Sequence, residues 1–222
     1  MDGAAGTGDP NRRLTREEGR RRTRERLLDA AADVFKRLGY HGASLEAVAE
    51  AAGYTKGAVY SNFETKADLF LALLDRFVDA EIGAQEQQLD GKTISEAIDE
   101  LEHILERQIQ SDPLWNVLQV EFWLVAARDP EVRRRLVAKS EPFRQSGGRL
   151  IDEAMELEGR TAAFTGRELG ILLNAIASGV ALELTLEPGV IDLSLITRAA
   201  RVLFGLDPAT PTTQAAKRSK AT

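Results

Sequence analysis

Apolar residues recur along most of the chain at steps of three and four, the spacing of one helix face, and no stretch alternates as a strand would. Thr15-Arg16-Glu17-Glu18 has the form of a capping box and predicts a first helix that buries Leu27, Ala31, Val34, Phe35 and Leu38. Two short helices follow, at about 44–52 and 55–62. Thr65-Lys66-Ala67-Asp68 is a second capping box, and Leu69, Phe70, Leu73, Leu74, Phe77 and Val78 mark the helix it opens. The period lapses through Gln85-Glu86-Gln87-Gln88, which predicts a boundary between Gly83 and Gly91. Thr93-Ile94-Ser95-Glu96 then opens a helix to about 110, with Ile94, Ala97, Leu101, Ile104, Leu105 and Gln108 on its inner side. Asp112-Pro113 and Asp129-Pro130 each place a capping carboxylate before a proline at the first helical position, and predict helices of about 113–127 and 130–157. Thr165-Gly166-Arg167-Glu168 opens another to about 186, stopped by Pro188-Gly189, and Asp192 caps a last one to about 204. The expected class is all-α, with about nine helices and no internal repeat. Residues 1–14 and 207–222 lack a period and are expected to be disordered.

The two short helices carry the most information. Ser44 can cap the first, whose Leu45, Val48, Ala49 and Ala52 share a face. Gly53 follows where a left-handed residue is inexpensive, and Thr55 can cap the next helix. At about 100° per residue, Ala58 and Val59 point one way while Lys56, Gly57, Tyr60 and Ser61 point the other. That outward face offers a cation, bare backbone, a hydroxyl-bearing ring and a small hydroxyl. These are the groups a helix in a major groove needs for phosphates and base edges. The pattern is a helix-turn-helix.

On these residues the chain resembles the tetracycline-repressor (TetR) family of bacterial regulators. The matching stretches are Leu38-Gly39-Tyr40-His41-Gly42-Ala43-Ser44, Ala51-Ala52-Gly53, and Thr55-Lys56-Gly57-Ala58-Val59-Tyr60-Ser61-Asn62-Phe63, then Lys66 and Leu69-Phe70. They span the N-terminal quarter; the remainder matches in length and helical character. The resemblance implies a homodimeric transcription regulator, a repressor rather than an activator, released from a pseudo-palindromic duplex operator by a small effector. It implies a DNA-binding part at 15–66, an effector-binding and dimerising part at 67–206, and flanking tails at 1–14 and 207–222. By the same resemblance Lys56, Gly57, Tyr60 and Ser61 face the major groove, while Ser44, Thr55, Tyr60, Asn62 and Lys66 hold phosphates. Asn62 stands where the family often has histidine; its amide can donate to a phosphate or end the helix. The fourth helix, shared by both parts, is the expected transmitter.

A net charge of −6 fits this picture once it is divided along the chain. Residues 1–66 hold 12 Lys and Arg against 10 Asp and Glu, leaving the acidic excess to the rest. Eight of those arginines lie within 12–26, against three glutamates. A polyanion answers to the local field, screened beyond about 8–10 Å, so this cluster is a candidate phosphate-facing surface. The chain has no cysteine, which excludes disulfides and thiolate metal sites. It shows no apolar leader and no uninterrupted apolar run of bilayer length, so the expected location is the cytoplasm.

In the helix of 113–127, apolar almost all round, Trp115, Gln119, Phe122 and Trp123 share a face. They form either a core helix or the wall of a ligand pocket, and the resemblance favours the pocket. That wall has no cation and only Glu121 nearby, which predicts a largely apolar effector, neutral or weakly cationic. The helix of 166–186 mixes Gly170, Ala175, Ala177, Ser178, Gly179 and Ala181 with larger apolar residues, more than one buried stripe requires. Either it packs within the chain or, as the resemblance implies, it joins the last helix in a four-helix interface with a second copy. The residues nominated for that interface are Leu172, Ala175, Ile176, Gly179, Val180, Ile196, Ala199 and Leu203. The two histidines, His41 and His103, form no recognisable metal site, and no cofactor is expected. There is no Gly-rich phosphate loop or nucleophile elbow, so no catalytic residue is nominated. The rival readings are a helical enzyme or ligand-binding protein with an incidental helix-turn-helix, and a nonspecific architectural DNA binder.

Overall fold

The computed structural model describes residues 15–208 apart from Asp112 and Ala162, with backbone alone at 108–111 and 113. The expectations for 1–14, 209–222, the Asp112 cap and the Gln108 side chain lie outside the described residues. Among these residues the chain forms α1 (Arg16–Gly42), α2 (Leu45–Ala52), α3 (Lys56–Tyr60), α4 (Lys66–Leu89), α5 (Ile94–Ser111), α6 (Pro113–Arg128), α7 (Pro130–Leu157), α8 (Gly166–Leu186) and α9 (Ser194–Leu203). The capping boxes at Thr15, Thr65 and Thr165 are all closed by reciprocal side-chain bonds. Asp129 accepts the Glu131 and Val132 N–H groups ahead of Pro130. At α9 the helix begins two residues after Asp192, whose carboxylate accepts the Ser194 N–H.

The lapse in period at 85–88 does not break a helix: α4 runs on to Leu89, and the chain turns at Asp90 and Gly91. Polar residues there continue a helix already nucleated upstream, because propagation needs far less than initiation.

The core runs without interruption from the N-terminal helices into the body. Leu27, Val34, Phe35, Val48, Val59 and Phe63 join Phe70 of α4 and Trp115, Leu118 and Phe122 of α6 in one buried cluster. That cluster crosses Lys66, the position that divides the two expected parts. Leu38, expected inside, is exposed; α1 breaks at the next residue, and it is Tyr40 beyond the break that turns into the core.

A second cluster joins α5, α7, α8 and α9 through Ile94, Ile98, Met155, Leu169, Ala200 and Phe204. A third packs Leu105, Val180 and Ile196. Val180 and Ile196, nominated for a partner interface, are thus buried within their own chain. Leu172, Ala175, Gly179, Ala199 and Leu203 are exposed, and Ile176 is partly buried. By length and composition α8 is apolar enough to cross a bilayer, yet only 17% of its apolar window is buried in the chain.

Candidate DNA-reading face and ligand cavities

Ser44 Oγ accepts the Ala47 N–H at 3.1 Å, and Thr55 Oγ1 accepts the Ala58 N–H at 3.2 Å. The Ser44 hydroxyl also serves the Glu46 carboxylate, whereas the Thr55 hydroxyl keeps its O–H to donate. Val59 turns fully inward, which leaves Lys56, Gly57, Tyr60 and Ser61 exposed together on α3. A Cβ built at Gly57 would meet only Thr55 Oγ1, at 3.9 Å. The fold leaves room for a side chain there, so the bare backbone answers no packing demand of this chain.

One acidic residue that the sequence reading passed over sits at this face. Tyr60 donates its hydroxyl to Glu46 Oε1 at 3.0 Å, and Lys56 Nζ lies 4.0 Å from the same oxygen. The Glu46 carboxyl is held below its ordinary pKa by its own backbone N–H and by the Tyr60 hydroxyl; the Tyr60 phenol is raised by its bond to that carboxylate.

Asn62 Nδ2 donates to the Ala58 carbonyl at 2.8 Å, closing the end of α3. Its Oδ1 is buried without a hydrogen-bond partner. Arg24 lies over the Phe63 ring, 4.5 Å from its centroid, and donates to the Asn62 carbonyl. Thr15, Arg20, Arg21, Arg24 and Asn62, with Glu17 and Glu18 among them, line a hollow beside α3. The arginine run of α1 is therefore brought to the same end of the molecule as the turn after α3.

Lys66 does not join them. Its ammonium donates to the carbonyls of Ala43 at 2.9 Å and His41 at 3.2 Å, and lies 4.7 Å from the Tyr40 ring centroid. Burial lowers its pKa, against the pull of Glu121. A cation beside the last carbonyls of α1 is where the helix dipole favours one. The side chain that the resemblance gives to phosphate is bound internally.

Trp115, Asn116, Gln119 and Trp123 of α6 line a cavity of about 350 Å³, completed by Phe77, Val78 and Glu81 of α4, Ser140, Phe143 and Arg144 of α7, and Asn174 and Ser178 of α8. Phe122 is not among them. It is buried behind the cavity wall, stacked on Phe70 at 4.3 Å and edge-on to Tyr40 at 5.2 Å. Arg144 and Glu81 correct the expectation of a wall without a cation, and of Glu121 as its nearby anion.

Glu121 instead faces α1. Its Oε2 accepts the Tyr40 N–H at 2.5 Å, where Gly39 interrupts the helix at φ +70. An aromatic ladder runs parallel to this bond. Phe77 contacts Trp115 at 4.7 Å, and Trp115 stacks on Phe70, which meets both Phe122 and Tyr40. Cavity wall and head thus share α6. No spacing rule reveals this link, since it joins residues 81 apart.

A second cavity, of about 550 Å³, lies between α5, α7 and α8 with a mostly aliphatic lining.

Comparison with known proteins agrees with this architecture. Residues 27–73 match the family model described as bacterial regulatory proteins, tetR family, and residues 97–203 match that of the BetI-type transcriptional repressor, C-terminal. The transcriptional activator FasR of Mycolicibacterium smegmatis is 39% identical over 85 residues, 38% of this chain and 37% of its own length. The regulator AcrR of Shigella flexneri is 33% identical over 99 residues, 45% of each. The chain thus matches less than half the length of either relative. FadR of Bacillus subtilis, solved in complex with stearoyl-CoA, shares the fold at a TM-score of 0.66 and 17% identity, over 82% of this chain and 98% of that one.

Proposed function

Since the chain belongs to the TetR family of bacterial regulators, we propose that it is a cytoplasmic, homodimeric repressor that leaves its operator when a small molecule enters the α6 cavity. The observation that carries this reading is α3, with Lys56, Gly57, Tyr60 and Ser61 exposed together above a buried Val59. Residues 15–66 read DNA, and 67–206 dimerise and hold the effector. Lys56, Gly57, Tyr60 and Ser61 enter the major groove, and Ser44 and Thr55 turn their hydroxyls to phosphates. Asn62 acts as the end of α3, with Arg24, Arg21 and Arg20 as the neighbouring cations. Trp115, Gln119 and Trp123 belong to the effector site. Leu172, Ala175, Ile176, Gly179, Ala199 and Leu203 form the dimer face, which accounts for the apolar surface that α8 leaves uncovered.

The mechanism is a reciprocal coupling: an effector that prefers badly spaced heads lowers operator affinity, and DNA lowers effector affinity by the same factor. A differential of about 3 kcal/mol reduces operator occupancy roughly 150-fold. Selection from random duplexes tests the reading. It should yield a pseudo-palindrome with half-sites about 34 Å apart, or a multiple of that. Lys56→Ala should relax preference at one position of each half-site. Equal affinity for selected and random duplexes refutes sequence-specific reading and leaves the architectural binder.

A further inference from the structure

The two cavities are compartments of one space. Both are lined by Trp123, Phe143, Arg144, Asn174 and Ser178. The smaller presents polar groups, whereas the larger is walled by side chains such as Ile98, Leu101 and Leu150. On the shared wall stands one cation, Arg144.

Its charge is poorly answered. The nearest carboxylate, on Glu141, is 4.0 Å away and already accepts from both Nε and Nη2 of Arg167, the latter at 2.9 and 3.1 Å. Arg144 is also drawn partly out of water, its side chain 35% exposed, which strengthens any bond it makes to an anion. A second donor waits nearby: Asn116 Nδ2 is buried without a hydrogen-bond partner among the described residues. Glu81 lines the smaller cavity as well, so a cationic head has a rival claim that the test must weigh.

We infer that the two cavities together hold one elongated amphipathic anion, its alkyl chain in the α5–α7–α8 compartment and its acidic head against Arg144. This rests on reading the cavities as the effector site. The larger compartment lies within the 300–1,000 Å³ of ordinary ligand pockets, and an aliphatic lining accepts a chain without directing it. Orientation then falls to the guanidinium, whose fork of donors matches a carboxylate. A short acid leaves the apolar compartment unfilled, and an alcohol of equal length leaves Arg144 unanswered.

The test uses the full chain and its two tryptophans, both of which line the smaller cavity. Fluorescence is titrated with dodecanoate, dodecanol, dodecyltrimethylammonium and acetate, each below its micelle-forming concentration. Dodecanoate should bind about tenfold or more tighter than dodecanol, with the ammonium weaker than both and acetate silent. Arg144→Gln should erase the preference for the acid, and Arg144→Lys should keep part of it. Dodecanol or the ammonium binding as tightly as dodecanoate to the parent overturns the proposal. So does an undiminished preference in Arg144→Gln, or no saturable signal with any long-chain probe. None of these results touches sequence-specific DNA binding, whose absence in the parent would instead sink the regulator reading.

Discussion

The bond between Glu121 and the Tyr40 N–H is the most direct tie between the cavity helix and the DNA-reading head, and its removal has a calculable effect. Glu121→Ala leaves the partly buried Tyr40 N–H without its acceptor, at a cost of about 1–3 kcal/mol. Glu121→Gln keeps an acceptor but loses the charge, so about 1 kcal/mol is expected. Gly39→Ala adds a separate penalty. Its φ of +70 with ψ 171 lies in a region all but closed to L-residues and costs about 1–3 kcal/mol, and a Cβ there would sit 3.1 Å from both Glu121 carboxylate oxygens. In the double variant the close approach disappears while the backbone strain remains, so the two changes should combine to less than their sum. Urea unfolding followed by circular dichroism gives the stabilities. Operator affinity, measured by anisotropy with and without a compound that releases DNA, gives the coupling. Glu121→Ala should be less stable by about 2 kcal/mol, and its DNA affinity should respond less to the compound. A variant within about 0.5 kcal/mol of the parent, with its coupling intact, would refute the assignment of this bond as a link.

Lys66→Met should lower stability by about 1–2 kcal/mol and leave the salt slope of DNA binding unchanged, because its donors serve the Ala43 and His41 carbonyls. A slope reduced by about 0.9 would restore the phosphate contact implied by the resemblance. Gly179→Glu and Ala175→Arg point charge onto the uncovered face of α8, at positions that also border the larger cavity. Sedimentation should give monomers and operator binding should vanish with them, whereas a dimer that tolerates both changes removes α8 from the interface. On acidification, the cap carboxylates of Glu18, Glu96 and Glu168 matter. Each accepts a backbone N–H of its cap threonine, which holds its pKa below the ordinary 4.5. Their contribution is full above that value and is lost as pH falls through the lowered folded values. Melting temperature should therefore hold steady from pH 6 to 5 and drop below about 4.5. A Glu18→Gln, Glu96→Gln, Glu168→Gln variant with the same acid slope as the parent would count against this cause.

Helix starts were legible because capping is a local bargain between a hydroxyl or carboxylate and N–H groups two or three residues on. Thr15, Thr65, Asp129 and Thr165 all show it. The face of α3 was legible for a similar reason, since its period sets Val59 against Lys56 and Tyr60. What a face meets was not legible. Phe122 lies only three residues from Gln119, but α6 is packed on both sides, so its faces serve different cavities and cores. Val180 and Ile196 show the same limit in α8 and α9: apolar spacing marks them for burial without saying in which chain. Arg144, the cation of the cavity wall, lies 21 residues beyond Trp123 on another helix, where only tertiary packing brings it to the tryptophans.

On the proposed reading, Glu46 tempers the pull of the α3 face on phosphate. In the free protein it holds Tyr60 by a hydrogen bond and Lys56 by an ion pair, so the two groups best placed for DNA already have a partner. If α3 reads DNA as proposed, binding exchanges one anionic partner for another, carboxylate for phosphate, and the net gain from either contact is smaller than a count of contacts suggests. The carboxylate left beside the duplex then repels phosphate on every sequence alike. Only a site whose bases return hydrogen bonds to the exposed face of α3 offsets that repulsion. On the proposed reading the acidic residue lowers affinity for every duplex by a similar amount, and discrimination between right and wrong sites is left to the base contacts. On the same proposed reading the arginines of α1 supply the sequence-blind attraction that this arrangement gives up, from a position where Arg24 is fixed to the Asn62 carbonyl at the end of α3.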